Sequence, residues 1–508
     1  MIQNKELRKY VQSLDIQDPI NLRDCYFGGR TNALVLHKEF ESGEQGHYVD
    51  FTSLYPDILK YKRFPVGHPI RVIDKFECLT MDKCDGDCMY ANCTGEHLKL
   101  PYFGLMKATF LPPTDLYHPI LPVKCNGKLK FPLCFKCASK ESKTMCRCEE
   151  YDRCFTHTYC TPEIEVAVNM GYQILKVHEV LHWPKTEMYD TKSKKGGLFT
   201  EYINTFLKLK QQASGYPSNV NTEEEKNEYI RKYYEHEGIL MARESIEKNP
   251  GLRSLSKLSL NSFYGKFGQR SNLGRNQYIR ETGTLYNLLT NKSKVVTDFH
   301  IMNENVMLVE FKNSEEFNFE SPNTNVLIAA FCTSWSRLKL WSVMNKLGDR
   351  VLYHDTDSII YSATGKPEEY IPPLGEYLGD LTNELNCKEV GCNDENCTGH
   401  WIVEFVSCGP KNYTYRLNTG QHVCKVRGFS LNYRNSQVIN FHSMKEALFA
   451  WAKNEKKELV TVSTEIRRNK YQNPDVYSKK VEKQYGVVYN KRVVLGDLST
   501  VPYGYNFI

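Results

Sequence analysis

The feature that most constrains this chain is a short acidic turn between two apolar arms. Residues 351–361 read Val-Leu-Tyr-His-Asp-Thr-Asp-Ser-Ile-Ile-Tyr, which predicts two strands around Asp355 and Asp357. Side chains at positions i and i+2 can project to the same side of an extended chain. Carboxylates placed together in this way repel one another unless a cation neutralises them. The pattern therefore predicts a β-hairpin that presents two acidic groups.

A third carboxylate comes from a distant part of the chain. Asp50 ends another strand-like run, about 300 residues before the acidic turn. Hard oxygen ligands favour Mg²⁺ or Mn²⁺, and two such ions about 4 Å apart stabilise the attacking and leaving oxygens of a phosphoryl displacement. Taken alone, the turn is equally explained as an Asp-rich surface loop. If the three aspartates meet, they form a centre for phosphoryl transfer.

A predicted helix supplies the opposite charge. The Asn-Pro pair at 249–250 can begin a helix that runs to about Gly265. Arg253, Lys257, Asn261 and Tyr264 lie along one stripe of that helix. A solvated helix face is the plain interpretation of such charges. Beside a carboxylate centre, the stripe would instead bind triphosphate oxygens, with the Tyr264 ring packed on a base.

The hydrophobic and turn patterns predict further elements. We expect strands over 104–110 and 119–123, and a hairpin within 269–322. We expect helices over 198–210, 222–248 and 327–347, the second of them beginning with a capping box at Thr222 and Glu225.

The composition excludes several classes of protein. The 508 residues carry 66 Lys and Arg against 60 Asp and Glu, a net charge of +6, and 41% are hydrophobic, which is typical of a multidomain globular protein. The apolar run at 326–331 is too short to span a bilayer, and the first residues lack the apolar stretch of a signal peptide. We therefore expect an intracellular protein that is neither secreted nor bound to a membrane.

Three motifs resemble those of one enzyme family. Residues 50–56, Asp-Phe-Thr-Ser-Leu-Tyr-Pro, resemble motif A of the family B DNA polymerases; Lys257 to Gly265 resembles motif B (KxxxNSxYG), and Tyr353 to Ser358 resembles motif C (YxDTDS). Any one match could arise by chance, but all three in this order are specific. The resemblance implies an α+β fold with right-hand polymerase architecture, which has an antiparallel-sheet palm, helical fingers and a small thumb.

Shorter matches narrow the resemblance to the protein-primed polymerases of phages, linear plasmids and Maverick/Polinton-type transposable elements. Residues 26–29 resemble their YxGG linker motif, residues 333–337 their Tx2GR-type motif with Ser336 replacing the usual Gly or Ala, and residues 411–413 their KxY motif. The resemblance implies DNA contacts at these motifs, with the Lys of KxY at the primer terminus. The implied DNA-binding residues are Tyr26, Gly28, Gly29, Thr333, Arg337, Lys411 and Tyr413.

The resemblance also implies roles at the catalytic centre. Asp50, Asp355 and Asp357 would be catalytic. Asp50, Asp357 and the backbone carbonyl of Phe51 would bind two Mg²⁺ ions, with Asp355 in support. Four further residues would bind the nucleotide: Tyr55 by excluding a 2′-hydroxyl, Lys257 at the triphosphate, and Asn261 and Tyr264 beside the nascent base pair.

The implied function is DNA-templated DNA polymerisation. The partners would be a DNA template-primer, dNTPs and, for protein priming, a terminal protein. One alternative is an inactive, zinc-stabilised nucleic-acid-binding remnant of such a polymerase. A reverse transcriptase is disfavoured, since it would place two adjacent aspartates at the turn. Nuclear residence would follow only if the gene belongs to a mobile element in a eukaryote.

The motif positions divide the chain into six expected regions. These are 1–66, linker motif and first part of the palm; 67–195, a first terminal-protein-like region (TPR1) with Cys-rich insertions; 196–268, fingers; 269–322, a second such region (TPR2) forming a hairpin; 323–432, palm; and 433–508, thumb and basic tail. Family members also carry an exonuclease domain that the 49 residues before Asp50 cannot hold, and we expect a truncated chain.

Eighteen cysteines in a reducing compartment favour metal ligands over disulfides. Cys134, Cys137, Cys146 and Cys148, followed by Cys154, resemble a zinc knuckle with an irregular second half. Two further groups have non-standard spacing, and for them zinc binding and free thiols are equally open; these groups are Cys78, Cys84, Cys88, Cys93 and His97, and Cys387, Cys392, Cys397 and His400.

Overall fold

The structure, a computed structural model, describes residues 4–14, 17–83, 95–217, 219–318, 324–387, 399–468 and 476–506. At its centre lies a nine-stranded antiparallel sheet, here named the central sheet. Seven strands follow one another across it, and two short strands pair beside them. The seven are Thr31–Ala33, Val351–Asp355, Ser358–Ala363, Gln45–Phe51, Ile402–Gly409, Asn412–Leu417 and His422–Val426, and the short ones are His37–Glu39 and Leu381–Asn383.

The central sheet is covered on both faces. Neighbouring residues of a strand project to opposite sides, so each strand contributes to two cores. Ile359 lies in the core shared with the helix Val326–Leu347, whereas Ile360 lies in the core shared with the helix Phe441–Ala452. The predicted hairpin around the acidic turn is confirmed, and so is the predicted helix over 327–347. The acidic turn therefore connects two apolar strands that are buried on both faces of the sheet.

A second, four-stranded antiparallel sheet lies beside the long helix, with Trp341 buried in the core between them. The predicted strand over 104–110 is confirmed, but the one over 119–123 is wrong, because prolines at 119 and 122 have no amide hydrogen for a strand ladder. In order across the sheet the strands are Phe155–Cys160, Gly104–Leu111, Gln173–His182 and Ile70–Val72.

The predicted cationic stripe lies in a region of three helices, Thr200–Gln212, Glu223–Glu237 and Pro250–Phe267. Pro250–Phe267 carries the stripe, packs on Thr200–Gln212 and is capped by Asn249, as predicted. The capping box of the middle helix, Glu223–Glu237, is also confirmed. The prediction that this helix reaches residue 248 is wrong, because it ends at Gly238, whose φ of 69° lies in the left-handed region that favours glycine.

Residues 269–322 contain more than the predicted hairpin. The strands Arg275–Ile279, Val306–Asn313 and Lys294–Asn303 form an antiparallel sheet, and the helix Thr282–Thr290 packs on it. The sequence pattern missed this helix because it lacks a start signal: its N-cap, Glu281, makes no side-chain capping bond.

The remaining elements are short. Further helices are Lys5–Ser13, Leu54–Tyr61, Phe135–Lys140, Glu150–Arg153, Thr161–Asn169 and Tyr433–Val438. Paired strands are Phe64–Pro65 with Thr186–Glu187, Thr80–Lys83 with Glu96–Lys99, Val123–Cys125 with Lys128–Lys130, Tyr189–Asp190 with Lys195–Gly196, Leu459–Arg468 with Val476–Tyr485, and Val493–Val494 with Thr500–Val501. Among the described residues, no helix combines the length and apolarity needed to cross a bilayer. Helices and antiparallel sheets occur together throughout, so the expected α+β class is confirmed.

Candidate active site

The strand register of the central sheet brings together the three predicted catalytic aspartates, which we name the acidic centre. Asp50 is the Cα partner of Ser358, and Ser358 is the partner of Asp355 in the hairpin. The backbone N–H of Phe51 donates to the carbonyl of Asp357 at 2.7 Å, which joins the two motifs directly. Residues about 300 positions apart in sequence therefore lie on neighbouring strands.

Burial and the neighbouring carboxylates oppose the ionisation of two aspartates of the acidic centre. Burial, followed by the repulsion of Asp357 and Glu384, raises the pKa of Asp50 to about 8. Burial and the neighbouring Asp355 raise the pKa of Asp357 to about 6. The cation Lys257, on the predicted stripe, acts in the opposite direction and lowers the pKa of Asp50. A bound cation would relieve this repulsion.

Asp355 differs from the other two aspartates because it already has a cationic partner. The Lys411 ammonium donates to both carboxylate oxygens of Asp355, at 2.6 and 2.8 Å. The hydroxyls of Thr31 and Thr356 donate to the same carboxylate at 2.8 and 3.1 Å. This arrangement holds Asp355 in one orientation beside the acidic centre.

Two residues near the acidic centre, Glu384 and Thr31, are not predicted from the sequence. Glu384 contributes repulsion to the pKa of both Asp50 and Asp357, and Thr31 bonds Asp355 as described. Glu384 follows a three-residue strand that pairs with the strand of Asp50. No motif marks either position, since only the pairing of strands brings them here.

The glycine-rich linker packs directly on the acidic turn. A Cβ at Gly29 would lie 2.8 Å from the Thr356 hydroxyl oxygen, so the close approach requires glycine. The backbone N–H of Thr356, whose φ is 60°, donates to the Arg30 carbonyl at 2.8 Å. Gly28 is exposed beside this contact. The predicted linker and the predicted catalytic turn are thus in direct contact.

Three tyrosines close the side of the acidic centre that faces the stripe. The rings of Tyr55 and Tyr264 stack with centroids 4.1 Å apart and an angle of 18° between their planes. The hydroxyls of Tyr264 and Tyr26 are 3.0 Å apart. Burial is the largest cause that raises the pKa of both Tyr55 and Tyr264. Both phenols are therefore neutral hydrogen-bonding groups near pH 7.

The polar residues of the stripe are open to solvent. Lys257 and Asn261 are exposed on the helix Pro250–Phe267, whereas its buried side faces the helix beneath it. Arg253, one turn before Lys257, is also exposed and donates to the Ser214 hydroxyl at 3.1 Å. An anion approaching the acidic centre along this helix would meet these two cations.

Three of the predicted DNA contacts are buried in this structure. Thr333 is fully buried and bonds carbonyls of its own helix. Arg337 is buried in an ion pair with Glu163, at 2.7 and 2.8 Å, and also donates to the carbonyls of Phe27 and Gly28. A direct DNA contact by these side chains does not fit their burial; Arg337 instead supports the linker.

Tyr413, the last residue of the KxY match, is likewise buried. Its hydroxyl lies 3.2 Å from that of Tyr48, and its ring packs 4.6 Å from the ring of Tyr353. Lys411, by contrast, is only half-buried and has a φ of 61°, with its N–H donating to the Tyr353 hydroxyl at 2.9 Å. The motif thus combines a buried anchor with a cation at the acidic centre.

The four predicted zinc ligands converge, and we name them the four-cysteine cluster. Their sulfur atoms all lie within 4.8 Å of one another; the residues are Cys134, Cys137, Cys146 and Cys148. Cys154 is not part of the cluster, because its side chain lies in a small core with Leu7 and Leu111. Most of the other two cysteine groups, including Cys84, Cys88, Cys93, Cys392 and Cys397, lies outside the described residues.

The chain is similar to known polymerases. The family described as DNA polymerase type B, organellar and viral, matches residues 2–222 and 220–346. The DNA polymerases of Bacillus phage Nf and Bacillus phage B103 are 22% identical to it over 371 and 376 residues. Each alignment covers 72% of this chain and 47% of the phage protein, so the chain spans about half the length of these relatives.

A solved structure shows the same fold. Phi29 DNA polymerase complexed with primer-template DNA and incoming nucleotide substrates matches with a TM-score of 0.51 at 15% sequence identity. The match covers 92% of this chain and 62% of the phi29 chain. The expected polymerase fold is therefore confirmed over nearly the whole chain.

Proposed function

The chain belongs to the organellar and viral type B DNA polymerases, and we propose that it catalyses the DNA-templated addition of deoxynucleotides to a primer 3′-hydroxyl. The observation that carries this proposal is the acidic centre, in which the strand of Asp50 pairs with the hairpin that carries Asp355 and Asp357. The exposed cations of the neighbouring helix complement it, as a nucleoside triphosphate requires.

Two Mg²⁺ ions are the cofactors that this centre fits. Asp50 and Asp357, with the backbone carbonyl of Phe51, would hold them. The fit rests on the raised pKa of both carboxyls, which have acidic neighbours and lie half-buried. When bound, the ions would stabilise charge on the attacking and leaving oxygens of the displacement.

The residues around the acidic centre would orient the nucleotide. Lys257 would bind triphosphate oxygens, and Asn261 would lie along the nascent base pair. The rings of Tyr55 and Tyr264 stack on each other, and Tyr264 would offer its flat face to the base of the nucleotide. The Tyr55 ring would leave no space for a 2′-hydroxyl, which selects deoxynucleotides.

The primer and template would meet the acidic centre at Lys411 and at the exposed linker. Lys411 would contact the primer terminus, since its ammonium already lies against Asp355. Gly28 and Tyr26 would contact the template strand at the exposed linker. We assign Arg337 to the support of this linker, because it is buried and donates to the carbonyls of Phe27 and Gly28. Thr333 is buried and bonds carbonyls of its own helix, so we assign it no contact with DNA. The 3′-hydroxyl would then be held close to Asp355 and Asp357.

The regions of the fold receive the corresponding assignments. The central sheet would be the palm, within 1–66 and 323–432, and the helices of 196–268 would be the fingers. Residues 67–195 and 269–322 would be TPR1-like and TPR2-like regions, and 433–508 the thumb and basic tail. Protein-primed replication of an intracellular viral or mobile element, with a terminal protein supplying the first hydroxyl, would suit this arrangement.

The proposal is tested by primer extension with purified protein, a primed DNA template, dNTPs and Mg²⁺. Extension should require Mg²⁺ and vanish in Asp50→Asn and in Asp357→Asn, while DNA binding persists in both. Asp115→Asn serves as the matched control, because this exposed carboxylate lies outside the site. Equal extension rates in the wild type and both site variants would refute the proposal.

DNA binding without extension in the wild type would favour the alternative of an inactive, nucleic-acid-binding remnant. Addition of a terminal protein and a template without a primer tests protein priming separately. In that assay a labelled nucleotide should become covalently attached to the terminal protein, and only when Asp357 is intact.

A further inference from the structure

The four-cysteine cluster has the dimensions of a single-ion thiolate site. A zinc ion with four sulfur ligands at about 2.3 Å separates them from one another by about 3.8 Å. The sulfurs of Cys137 and Cys148 are 3.6 Å apart, which is far longer than a disulfide bond of about 2.05 Å. Four thiols gathered this closely are typical of a structural zinc site, in which the protein fills every ligand position.

Such a cross-link would also stabilise the local backbone. Cys134 caps a helix of six residues, Phe135–Lys140, and Cys137 lies in its first turn. Cys146 and Cys148 lie in the stretch 142–149, which contains neither helix nor strand. So short a helix is marginal on its own. An ion shared by the helix and the following stretch would fix both.

The surroundings match the charge of a zinc tetrathiolate. Four thiolates and one Zn²⁺ carry a net charge of −2, and four protons are released when the ion binds. Lys140 and Arg147 flank the opening beside Cys137 and Cys148, where Lys136 also lies in an ion pair with Asp152. Cations placed at this opening would offset the negative charge of the loaded site.

The cluster is tied to the end of the chain, and we name residues 487–506 the C-terminal segment. The N–H groups of Leu133 and Cys134 both donate to the Tyr503 carbonyl, at 2.7 and 3.0 Å. Gly504 has a φ of +94°, and a Cβ there would lie 2.5 Å from the Cys134 nitrogen. The residue that begins the cluster is therefore in direct contact with the C-terminal segment.

The C-terminal segment continues from the cluster to the acidic centre. The Thr500 N–H donates to the Leu34 carbonyl at 2.8 Å, and the Lys491 ammonium donates to the Thr31 carbonyl at 3.0 Å. The Thr31 hydroxyl in turn donates to Asp355. One series of hydrogen bonds thus links the cysteines to the edge strand of the central sheet.

From these contacts we propose that the four-cysteine cluster binds one structural zinc ion and that this ion fixes the C-terminal segment on the edge of the central sheet. The ion would take no part in the phosphoryl transfer. Its loss would release the helix that begins at Cys134, then the C-terminal segment, and finally the support of Thr31.

Metal analysis of the purified full chain tests the binding step. The double variant Cys137→Ser/Cys148→Ser should contain one zinc fewer per chain than the wild type, and Cys154→Ser should match the wild type. The test uses the difference in zinc content between variant and wild type, because the other cysteine groups can bind zinc of their own. Equal zinc content in the double variant and the wild type would overturn the proposal, as would iron with a visible absorption band.

A second measurement keeps the proposal testable if the double variant does not fold. Wild-type protein is stripped with a chelator and titrated with Co²⁺, which should give the intense charge-transfer absorption of a cobalt tetrathiolate. One equivalent fewer should bind with that spectrum in Cys148→Ser, a single change at a half-buried position. A cobalt spectrum without thiolate bands in the wild type would overturn the assignment of four sulfur ligands.

Hydrogen exchange tests the link to the C-terminal segment. Zinc removal from the wild type should speed amide exchange by at least about tenfold in peptides over 489–505, since their opening no longer requires the loaded cluster to break. Amide exchange in peptides over 275–313, which form a separate sheet, should not change. Gly504→Ala should retain zinc yet show the same fast exchange over 489–505. Unchanged exchange after zinc removal would show that the ion does not fix this segment.

Discussion

The acidic centre and the four-cysteine cluster are both candidate metal sites, yet they are built in opposite ways. The acidic centre collects its aspartates from strands about 300 residues apart in sequence. The cluster takes all its ligands from residues 134–148. Within the described residues, the three aspartates do not gather as tightly as the four sulfurs do. One site depends on the whole fold, and the other on one local segment.

The difference also extends to charge and burial. Asp50 and Asp357 remain half-buried and repel one another, with pKa values raised to about 8 and about 6. Cys134 and Cys137 are buried, and all four sulfurs lie within 4.8 Å of one another. A site that exchanges substrates at each turnover must keep an open, strained arrangement, whereas a structural site can be closed. Chemistry and stability should therefore respond to different changes.

The largest expected effect separates these two properties. Asp357→Asn should lower the rate of primer extension by about a thousandfold, because it removes several kcal/mol of charge stabilisation at about 1.4 kcal/mol per factor of ten. Its free energy of unfolding should stay equal or rise, since the change removes repulsion among carboxylates. Cys137→Ser should do the reverse: it should lower the melting temperature more than the initial extension rate at 25 °C.

Extension rates and thermal melts of the two variants, measured in the same buffer with and without added zinc, test this contrast. A melting temperature that falls more in Asp357→Asn than in Cys137→Ser would contradict it. Added zinc should raise the melting temperature of the stripped wild type but not that of Cys137→Ser.

The next effect concerns a buried charge pair that belongs to neither site. The side chains of Arg337 and Glu163 are 2% and 1% exposed, and Arg337 holds the linker that packs on the acidic turn. Glu163→Gln should lower the free energy of unfolding by about 3 kcal/mol, because it leaves a buried guanidinium without its carboxylate. Urea unfolding followed by circular dichroism measures this loss.

The control for this change removes both charges. Arg337→Met/Glu163→Gln should recover at least half of the lost stability, because no charge is then left unpaired in the interior. The same double variant should bind template DNA less tightly than the wild type, since the linker loses its support. A double variant no more stable than Glu163→Gln would show that packing, and not charge, explains the loss.

A smaller effect is expected at the cation of the acidic centre. Lys411→Met removes the ammonium that bonds both oxygens of Asp355. The extension rate should fall about thirtyfold, equivalent to about 2 kcal/mol, and the melting temperature should change little because Lys411 is only half-buried. Lys411→Arg keeps the positive charge and should retain most of the rate. Equal rates in the two variants would contradict this role.

The sequence predicted some of these features and missed others for physical reasons. Asp50 and Asp357 were predictable because motifs A and C mark them, and the cluster was predictable because its ligands are neighbours in sequence. Glu384 and Thr31 were not, since they reach the acidic centre only through the pairing of short strands. Register between distant strands has no signature in a single sequence.

Burial was the other property that the sequence did not reveal. Arg337 matches a motif associated with DNA contact, and an arginine is ordinarily exposed. Its partner Glu163 lies 174 positions away in a different helix, so nothing local indicated a buried ion pair. The predicted helix that begins at Thr222 was too long for a related reason. Gly238 ends the observed helix, Glu223–Glu237, through its backbone conformation and not through a side chain.

The smallest expected effect lies where the two sites are connected. Thr31 bonds Asp355 through its hydroxyl and Lys491 of the C-terminal segment through its carbonyl. Thr31→Val removes only the hydroxyl bond, which is worth about 1 kcal/mol, so the extension rate should fall about fivefold. Thr31→Ser keeps the hydroxyl and should extend at the wild-type rate. Hydrogen exchange over 489–505 should be unaltered in both variants, because the carbonyl contact persists. Faster exchange in Thr31→Val would mean that the acidic centre and the C-terminal segment stabilise each other through this strand, and are not independent.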